Sequence, residues 1–455
     1  MSKLRVLYIC HNHPALHPGG SEIFAHDLFS ELKAEGSVEA MFLACTNKLH
    51  RAQRPGTNFQ TIGRSSDEMV LWTGHFDRFY MSQIDLQGIV PELSNLLLSF
   101  KPDVVHFHHT LLIGVEILHL VKRLLPQAKL ILTLHDYYAI CANDGQMVKT
   151  QNHELCHKAS PDACHKCFPD VRPDQFLLRS KHIANMLALV DRFVSPSRFL
   201  IDRYVAWGLP ADRISLVRNG RPVGDVEPPR QLPAGGSRDQ FGYFGNVSPY
   251  KGTMVAIRAA QLLAESGEKD FALRVHGGMP FQTDEFRQRY ETAARKDPHH
   301  VREMGPYDTA EMPKLLGDVD WVVVPSIWWE NAPLVIQEAH AHCRPVICSG
   351  IGGMAEMVRD GVDGLHFRAG DPVSLMQTMA RAIGEPGLWE RLVTGIGEPR
   401  TIAACAGEHM ALYRDLFAPP PVVELGPRVS KITPNIPPLP TWLTSPHPSL
   451  EGSKA

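Results

Sequence analysis

Short, β-branched apolar runs alternate along most of this chain with longer stretches whose apolar residues recur at helical spacing. In the first half the runs are Leu4–Cys10, Val38–Cys45, Val104–Phe107, Leu130–Leu134, Asp191–Val194 and Ile214–Val217. In the second they are Phe241–Phe244, Phe271–Val275, Val319–Val324 and Pro345–Cys348. Runs this short and this continuously apolar predict strands buried on both faces. Between them, residues 21–33 (with Ile23, Phe24, Leu28, Phe29 and Leu32) and 111–125 carry a helical period. A helix between successive strands implies parallel crossovers, so each series predicts a doubly wound α/β sheet. Residues 222–239, rich in proline, glycine and charge, read as the linker between two such halves. Two halves of this kind place a cleft between them, faced by the carboxyl ends of their strands. Residues 51–87 show no clear period. A last amphipathic helix is expected over 402–417, with Ile402, Cys405, Met410, Tyr413 and Leu416/Phe417 as its stripe. The proline-rich stretch 419–455 predicts an extended or disordered tail.

The most informative segment is 320–338, DWVVVPSIWWENAPLVIQE. A buried strand stops at Pro325 and Ser326, an aromatic turn follows, and Pro333 fits the first turn of a helix. Glu330 then sits at the carboxyl end of a parallel strand and Glu338 about two turns further on. Two carboxylates beside a helix start fit a ligand rich in hydroxyls and carrying a phosphate. They fit equally a helix-dipole contact and a solvated surface acid. Other positions carry the same ambiguity. Gly19–Gly20 allow close backbone approach to a ligand or make a plain turn. Lys251, in FGNVSPYKG, is a candidate phosphate cation or a solvated lysine. His135, just past a buried strand, is a candidate ligand contact or a satisfied structural histidine. His106, His108 and His109 read as hydrogen-bonded histidines more readily than as metal ligands. Cys156, Cys164 and Cys167, with His153, His157 and His165 among them, have the residue types of a structural zinc site, and equally of free thiols or a redox-labile pair. Neither a P-loop nor a G-x-G-x-x-G fingerprint occurs, which counts against ATPase and dehydrogenase chemistry.

Composition narrows the class. Apolar residues make up 44%, charged residues 21%, and the net charge is −3, an ordinary globular balance that argues against a general nucleic-acid binder. No apolar stretch reaches the about 18 residues of a membrane span. Leu4–Cys10 runs into His11, His13 and Gly19–Gly20, not a cleavage site, so it is a first strand and no signal peptide. Nine cysteines, odd in number and scattered, fit a reducing compartment. The expected location is the cytoplasm, with peripheral contact to the inner membrane face as a second option.

Seven pieces in fixed order resemble the retaining glycosyltransferases of the GT-B fold, specifically glycosyltransferase family four: PGGSE at 18–22, HDYY at 135–138, SPSRFL at 195–200, RNG at 218–220, GNVSPYKG at 245–252, ENAPLVIQEA at 330–339 and IGGMAEMVRDGVDGLHF at 351–367. The resemblance implies two Rossmann-like domains: an acceptor-side domain over 1–218, completed by the helix 402–417, and a donor domain over 219–400. It implies a nucleotide-diphosphate sugar as donor and a glycan, a lipid-linked compound or a small hydroxyl compound as acceptor, with no required metal or cofactor. On the same basis Lys251 and the backbone near Gly20 face the diphosphate, and Glu330 and His135 face the transferred sugar. The amides around Pro333, Leu334 and Val335 bind hydroxyls or phosphates, with Asn331 and Asn246 in the donor set. Glu338 meets the ribose. One departure stands out: Asn246 replaces an arginine, so either Arg218 or Arg221 supplies the missing charge or the diphosphate is held more weakly. The expectation is a retaining transferase in polysaccharide or glycoconjugate synthesis. A noncatalytic nucleotide-sugar-binding scaffold and a nucleotide-sugar epimerase are the alternatives.

Overall fold

All ten apolar runs are strands in the computed structural model, which describes residues 3–418 apart from 64, 223 and 281. The tail expected over 419–455 lies outside the described residues. The first half contains β1 (Leu4–His11), β2 (Val38–Thr46), β3 (Phe59–Thr61), β4 (Glu68–Trp72), β5 (Phe76–Asp77), β6 (Ser82–Gln83), β7 (Val104–Phe107), β8 (Lys129–Thr133), β9 (Arg192–Ser195) and β10 (Ile214–Leu216). Eight of these form one sheet in the order β10-β9-β8-β7-β1-β2-β4-β3, while β5 and β6 make a separate hairpin. The pairs are parallel, as in Leu4 opposite Val38 and Val6 opposite Val104, except that β3 runs antiparallel to β4. The second half contains β11 (Gln240–Phe244), β12 (Ala272–His276), β13 (Val301–Gly305), β14 (Trp321–Val324), β15 (Val346–Ser349) and β16 (Gly364–Phe367). Its sheet is ordered β13-β12-β11-β14-β15-β16, all parallel.

The inner strands of both sheets are buried on both faces, which is why they read as continuous apolar runs. In β1, Leu7 and Ile9 enter one core layer while Val6, Tyr8 and Cys10 enter the other. In β14, Trp321 and Val323 face one layer and Val322 and Val324 the opposite one. The C-terminal helix, Ile402–Asp415, belongs to the first sheet. Its Ile402, Cys405, Met410 and Tyr413 pack in the layer that holds Tyr8 and Phe24, and Leu416 is partly buried there. Phe417, expected at the end of this stripe, is exposed.

The helix expected over 111–125 is shorter, Ile117–Leu124. Leu112 at φ 69° and Gly114 at φ 93° are left-handed and interrupt it. Leu111, Leu112, Ile113 and Val115 are apolar because they are buried in a loop, not because they line a helix. Six strands escaped the pattern: β3 to β6, all within the stretch 51–87 that shows no clear period, and β13 and β16. Most of β13 is exposed, and β16 opens on a glycine and contains His366. Among the described residues no helix is long and apolar enough to cross a membrane.

Candidate active site

Strand order reverses between β11 and β14, and again between β1 and β7. Open α/β sheets bind ligands at such switch points, beyond the strands' carboxyl ends. The loop after β11 carries Asn246 and Lys251, and the loop after β14 carries Glu330 and Asn331. The two loops are laced together: Ile327 N–H donates to Tyr250 O at 2.9 Å. Gly252, at φ 69°, lies so close to the Pro325 carbonyl oxygen that a Cβ has no room there. This packing brings Lys251 Nζ to 2.6 Å from Glu330 Oε1. The same oxygen accepts from Ser326 Oγ at 2.8 Å and Trp328 Nε1 at 2.9 Å. Glu330 is 7% exposed, so its charge is held by three converging donors.

Opposite these loops, the helix Gly20–Ala34 begins after β1, and the helix Leu334–Ala341 begins after the Glu330 loop. Neither start has a side-chain cap, and a Cβ on Gly20 would lie 3.7 Å from Leu334 Cδ1. Two uncapped helix N-termini therefore face one space with free backbone N–H groups. Pro333, expected inside the helix, is its N-cap with extended ψ of 121°.

That space is a cavity of about 790 Å³, the size of a nucleotide-class ligand site. Its lining includes His135, Glu330, Lys251, Gly20, Asn246, Asn331, Pro333, Leu334, Val335 and Glu338. The structure thus brings every residue of the expected catalytic and donor sets to one place. Among the described lining residues Lys251 is the only lysine or arginine.

His135 follows β8, and its Nε2 lies 3.1 Å from His108 Nδ1. Burial lowers its pKa from 6.5 to about 3, so it is neutral at pH 7. The other histidines of the β7 end are structural. His106 bonds Tyr413 and Thr133, each at 2.7 Å, and His109 bonds Asp136 at 2.8 Å. Burial likewise lowers His11 and His409 to about 4. An unfolded chain takes up protons near pH 6.5 that these folded rings refuse, so stability is full above that pH and falls as pH drops towards 4. Thermal melting followed from pH 8 to pH 4 should show this decline, and His409→Asn should flatten it.

Several contacts that clasp the halves had no sequence signal. Asn331 Nδ2 donates to the carbonyls of Leu134 and His135 at 3.4 and 3.3 Å, and its Oδ1 accepts from Ser197 Oγ. Trp329 is buried in the first half's core, with Phe199 and His157 at its edges and Arg203 over its ring. Glu356 accepts from the N–H groups of Arg198 and Phe199, both at 3.0 Å, at the start of a first-half helix. Arg221 joins Asp27 at 2.7 Å to Glu338 at 3.0 Å. Burial raises the Glu338 carboxyl above its ordinary range, Arg221 pulls it back down, and Asp27 adds to the rise. Arg218 and Arg221 do not replace the missing charge at Asn246: neither lines the cavity, and Arg218 lies 3.6 Å from Glu356.

Among the described residues, His13, His26 and Glu68 bring three possible metal-ligand atoms within 4.8 Å of one another, which sequence spacing did not suggest. Both histidine Nε2 atoms meet Glu68 Oε2, at 3.0 and 2.9 Å. His13 Nδ1 accepts from Ala15 N–H at 3.1 Å, so in the neutral ring the proton is on Nε2 and is donated to Glu68. That tautomer makes the trio a hydrogen-bonded clamp, not a ligand set.

Two family models match. One described as Glycosyltransferase Family 4 covers residues 18–223, and one described as Glycosyl transferases group 1 covers 238–385. D-inositol 3-phosphate glycosyltransferase of Salinispora arenicola is 29% identical over 270 residues, 50% of this chain and 57% of that protein. The chain spans about half the length of the curated relatives it matches. Sucrose-phosphate synthase from Thermosynechococcus elongatus superposes with a TM-score of 0.65 at 20% identity, covering 91% of this chain and 99% of that one. Anabaena Alr3699/HepE, solved in complex with UDP, gives 0.64 at 14% identity, covering 90% and 100%. The shared architecture is GT-B, two Rossmann-like sheets with their carboxyl edges facing a cleft.

Proposed function

We propose that this chain, which belongs to glycosyltransferase family 4 of the group 1 glycosyl transferases, moves a sugar from a nucleotide-diphosphate donor to a hydroxyl acceptor with retention of anomeric configuration. The observation that carries this reading is the cavity itself. One lysine and two uncapped helix starts supply donors of positive potential to its lining, and the carboxylates Glu330 and Glu338 line it as well. A diphosphate requires the first feature and vicinal hydroxyls the second.

On this reading the second half is the donor side and the first the acceptor side. Lys251 and the helix starts at Gly20 and Leu334 neutralise the diphosphate as its bond to the anomeric carbon breaks. Glu330 and neutral His135 bear on the transferred sugar, and Glu338 accepts from the ribose hydroxyls. Asn331 works chiefly by fixing the His135 backbone against the second half, since both ends of its amide already bond across the cleft. Protein groups supply the positive charge, so the reaction needs no metal. The acceptor is a glycan, a lipid-linked compound or a small hydroxyl compound in polysaccharide or glycoconjugate synthesis. The reaction takes place in the cytoplasm, with the protein free or held at the inner membrane face. A solved neighbour carries UDP, and curated relatives are named D-inositol 3-phosphate glycosyltransferase.

Proton NMR of the product tests the reaction class. A new glycosidic bond with the donor's anomeric configuration is expected; an inverted product or an isomerised donor contradicts the proposal. The carboxylate roles separate kinetically. Glu338→Ala should chiefly raise the donor KM, and Glu330→Gln should chiefly lower kcat, each lost charged hydrogen bond costing about 1.5–3 kcal/mol. Wild-type kinetics in both variants would remove these assignments.

A further inference from the structure

We propose that Cys141, Cys156, Cys164 and Cys167 form a tetrathiolate site for a zinc ion, which ties residues 134–172 into one unit bearing on the loops of the donor cavity. The proposal is independent of the transfer reading. The sequence pointed to three of these cysteines; the fold adds the fourth. Cys141 lies in the turn after β8, Cys156 just past the isolated bridge between Val148 and Leu155, and Cys164 and Cys167 on the short helix Pro161–Cys167. From these three separate pieces all four reach the lining of one cavity of about 410 Å³, and all four are free thiols.

The segment has reason to need such a tie. Between β8 and the helix Pro173–Leu187 it contains only that short helix and one bridge, too little buried structure to hold a long insert by packing alone. Four sulfur ligands complete a tetrahedral zinc shell and leave no open position, the pattern of a structural site. Zinc entry replaces the four thiol protons, which pass to solvent, and leaves a complex of net charge −2. Lys158 and Lys166 line the same cavity and offset that charge, while Lys149 in the same lining is paired with Glu154 at 2.9 Å.

Zinc would hold each sulfur at about 2.3 Å from the metal. His157 is not the fourth ligand, because its ring is packed on Trp329 at 4.8 Å. That contact is where the unit meets the cavity loops. His157 O also accepts from Arg203 at 3.2 Å, and His153 lies 6.3 Å from Tyr250. Trp329 adjoins Glu330, and Tyr250 adjoins Lys251.

Elemental analysis of the full-length chain, purified in reducing buffer without chelator, should find one zinc per chain. Cobalt exchanged into the site should give the sulfur-to-metal charge-transfer band and the strong visible absorption of a tetrahedral thiolate centre. Cys141→Ser and Cys164→Ser should each weaken zinc binding by at least about tenfold, the scale already seen for losing an outer-shell partner. If a variant fails to fold, cobalt titration of native chain before and after thiol alkylation reads the same site. Native chain that takes up neither metal, or peptide mapping that finds a disulfide among the four, overturns the proposal. Full affinity in Cys141→Ser with loss in His157→Ala overturns the assigned fourth ligand.

Discussion

A chain ending before Thr401 should fail to keep its first sheet folded. The helix it loses, Ile402–Asp415, contributes Ile402, Cys405, Met410 and Tyr413 to the core layer shared with Val6, Tyr8, Phe24 and Phe42. Burying each large apolar side chain stabilises by about 1.5–3 kcal/mol, so removing the helix costs much of the about 5–15 kcal/mol that a domain has in total. Polar loss adds to this. Tyr413 OH bonds His106 Nδ1 at 2.7 Å and pairs with Tyr8 OH at 3.3 Å, all three residues fully buried. Without the helix, two polar groups under the sheet lose a partner, at about 1–3 kcal/mol each. Denaturant and thermal unfolding should show loss of the cooperative transition in this truncation, whereas a chain ending at Ala418 should melt like the full-length protein. Tyr413→Phe, which keeps the packing and removes only the hydroxyl, should fall between them. An unchanged melting temperature for the shorter truncation would contradict the assignment of this helix to the first sheet.

Lys251→Ala should lower donor turnover by about 10²–10³-fold, the usual cost of removing a group that stabilises developing charge. Nucleoside-diphosphate affinity should fall less, by about tenfold, as expected for one charged hydrogen bond. Two observations make Lys251 critical: it is the only lysine or arginine in the described lining, and Asn246 brings no charge where the family resemblance expects arginine. Its present partner, Glu330, explains how it is held ready: the two lie 2.6 Å apart, with Lys251 Nζ over the Trp328 ring at 5.6 Å. The variant also leaves Glu330 buried with only Ser326 and Trp328 as donors. Circular dichroism and melting must therefore accompany the kinetics, and Lys251→Arg should recover part of the turnover. Equal loss in turnover and affinity would place Lys251 in ground-state binding alone.

The fold was legible wherever burial repeats along the chain. Strands β1, β7, β8 and β14 are covered on both faces and so read as apolar runs, and the positions just after them carry the candidate site. What failed to show had a physical reason. Strand β13 is mostly exposed and has no apolar signature. The loop 111–116 is apolar yet left-handed in places, so its composition imitated a helix. Contacts between the halves were invisible because they join residues far apart in the chain: Arg221 with Asp27 and Glu338, Glu356 with the helix start at Arg198, and Trp329 with the first core. Lys251 and Glu330 were each found as ligand groups, but their pairing depends on the lacing of two loops seventy-nine residues apart. Cys141 was missed beside Cys156, Cys164 and Cys167 for the same reason: its spacing follows no zinc motif, and only the fold of the segment brings it to their cavity.

Cleavage of a nucleotide-diphosphate sugar in this cavity is the proposed reaction. The most direct measurement is release of nucleoside diphosphate, followed by mass spectrometry, from a panel of nucleotide sugars mixed with the full-length protein and candidate hydroxyl acceptors, in chelator and in magnesium. Release is expected from at least one donor, undiminished in chelator and nearly abolished in Lys251→Ala. Donors that bind at this cavity without releasing diphosphate, or release that occurs only with magnesium, would contradict it.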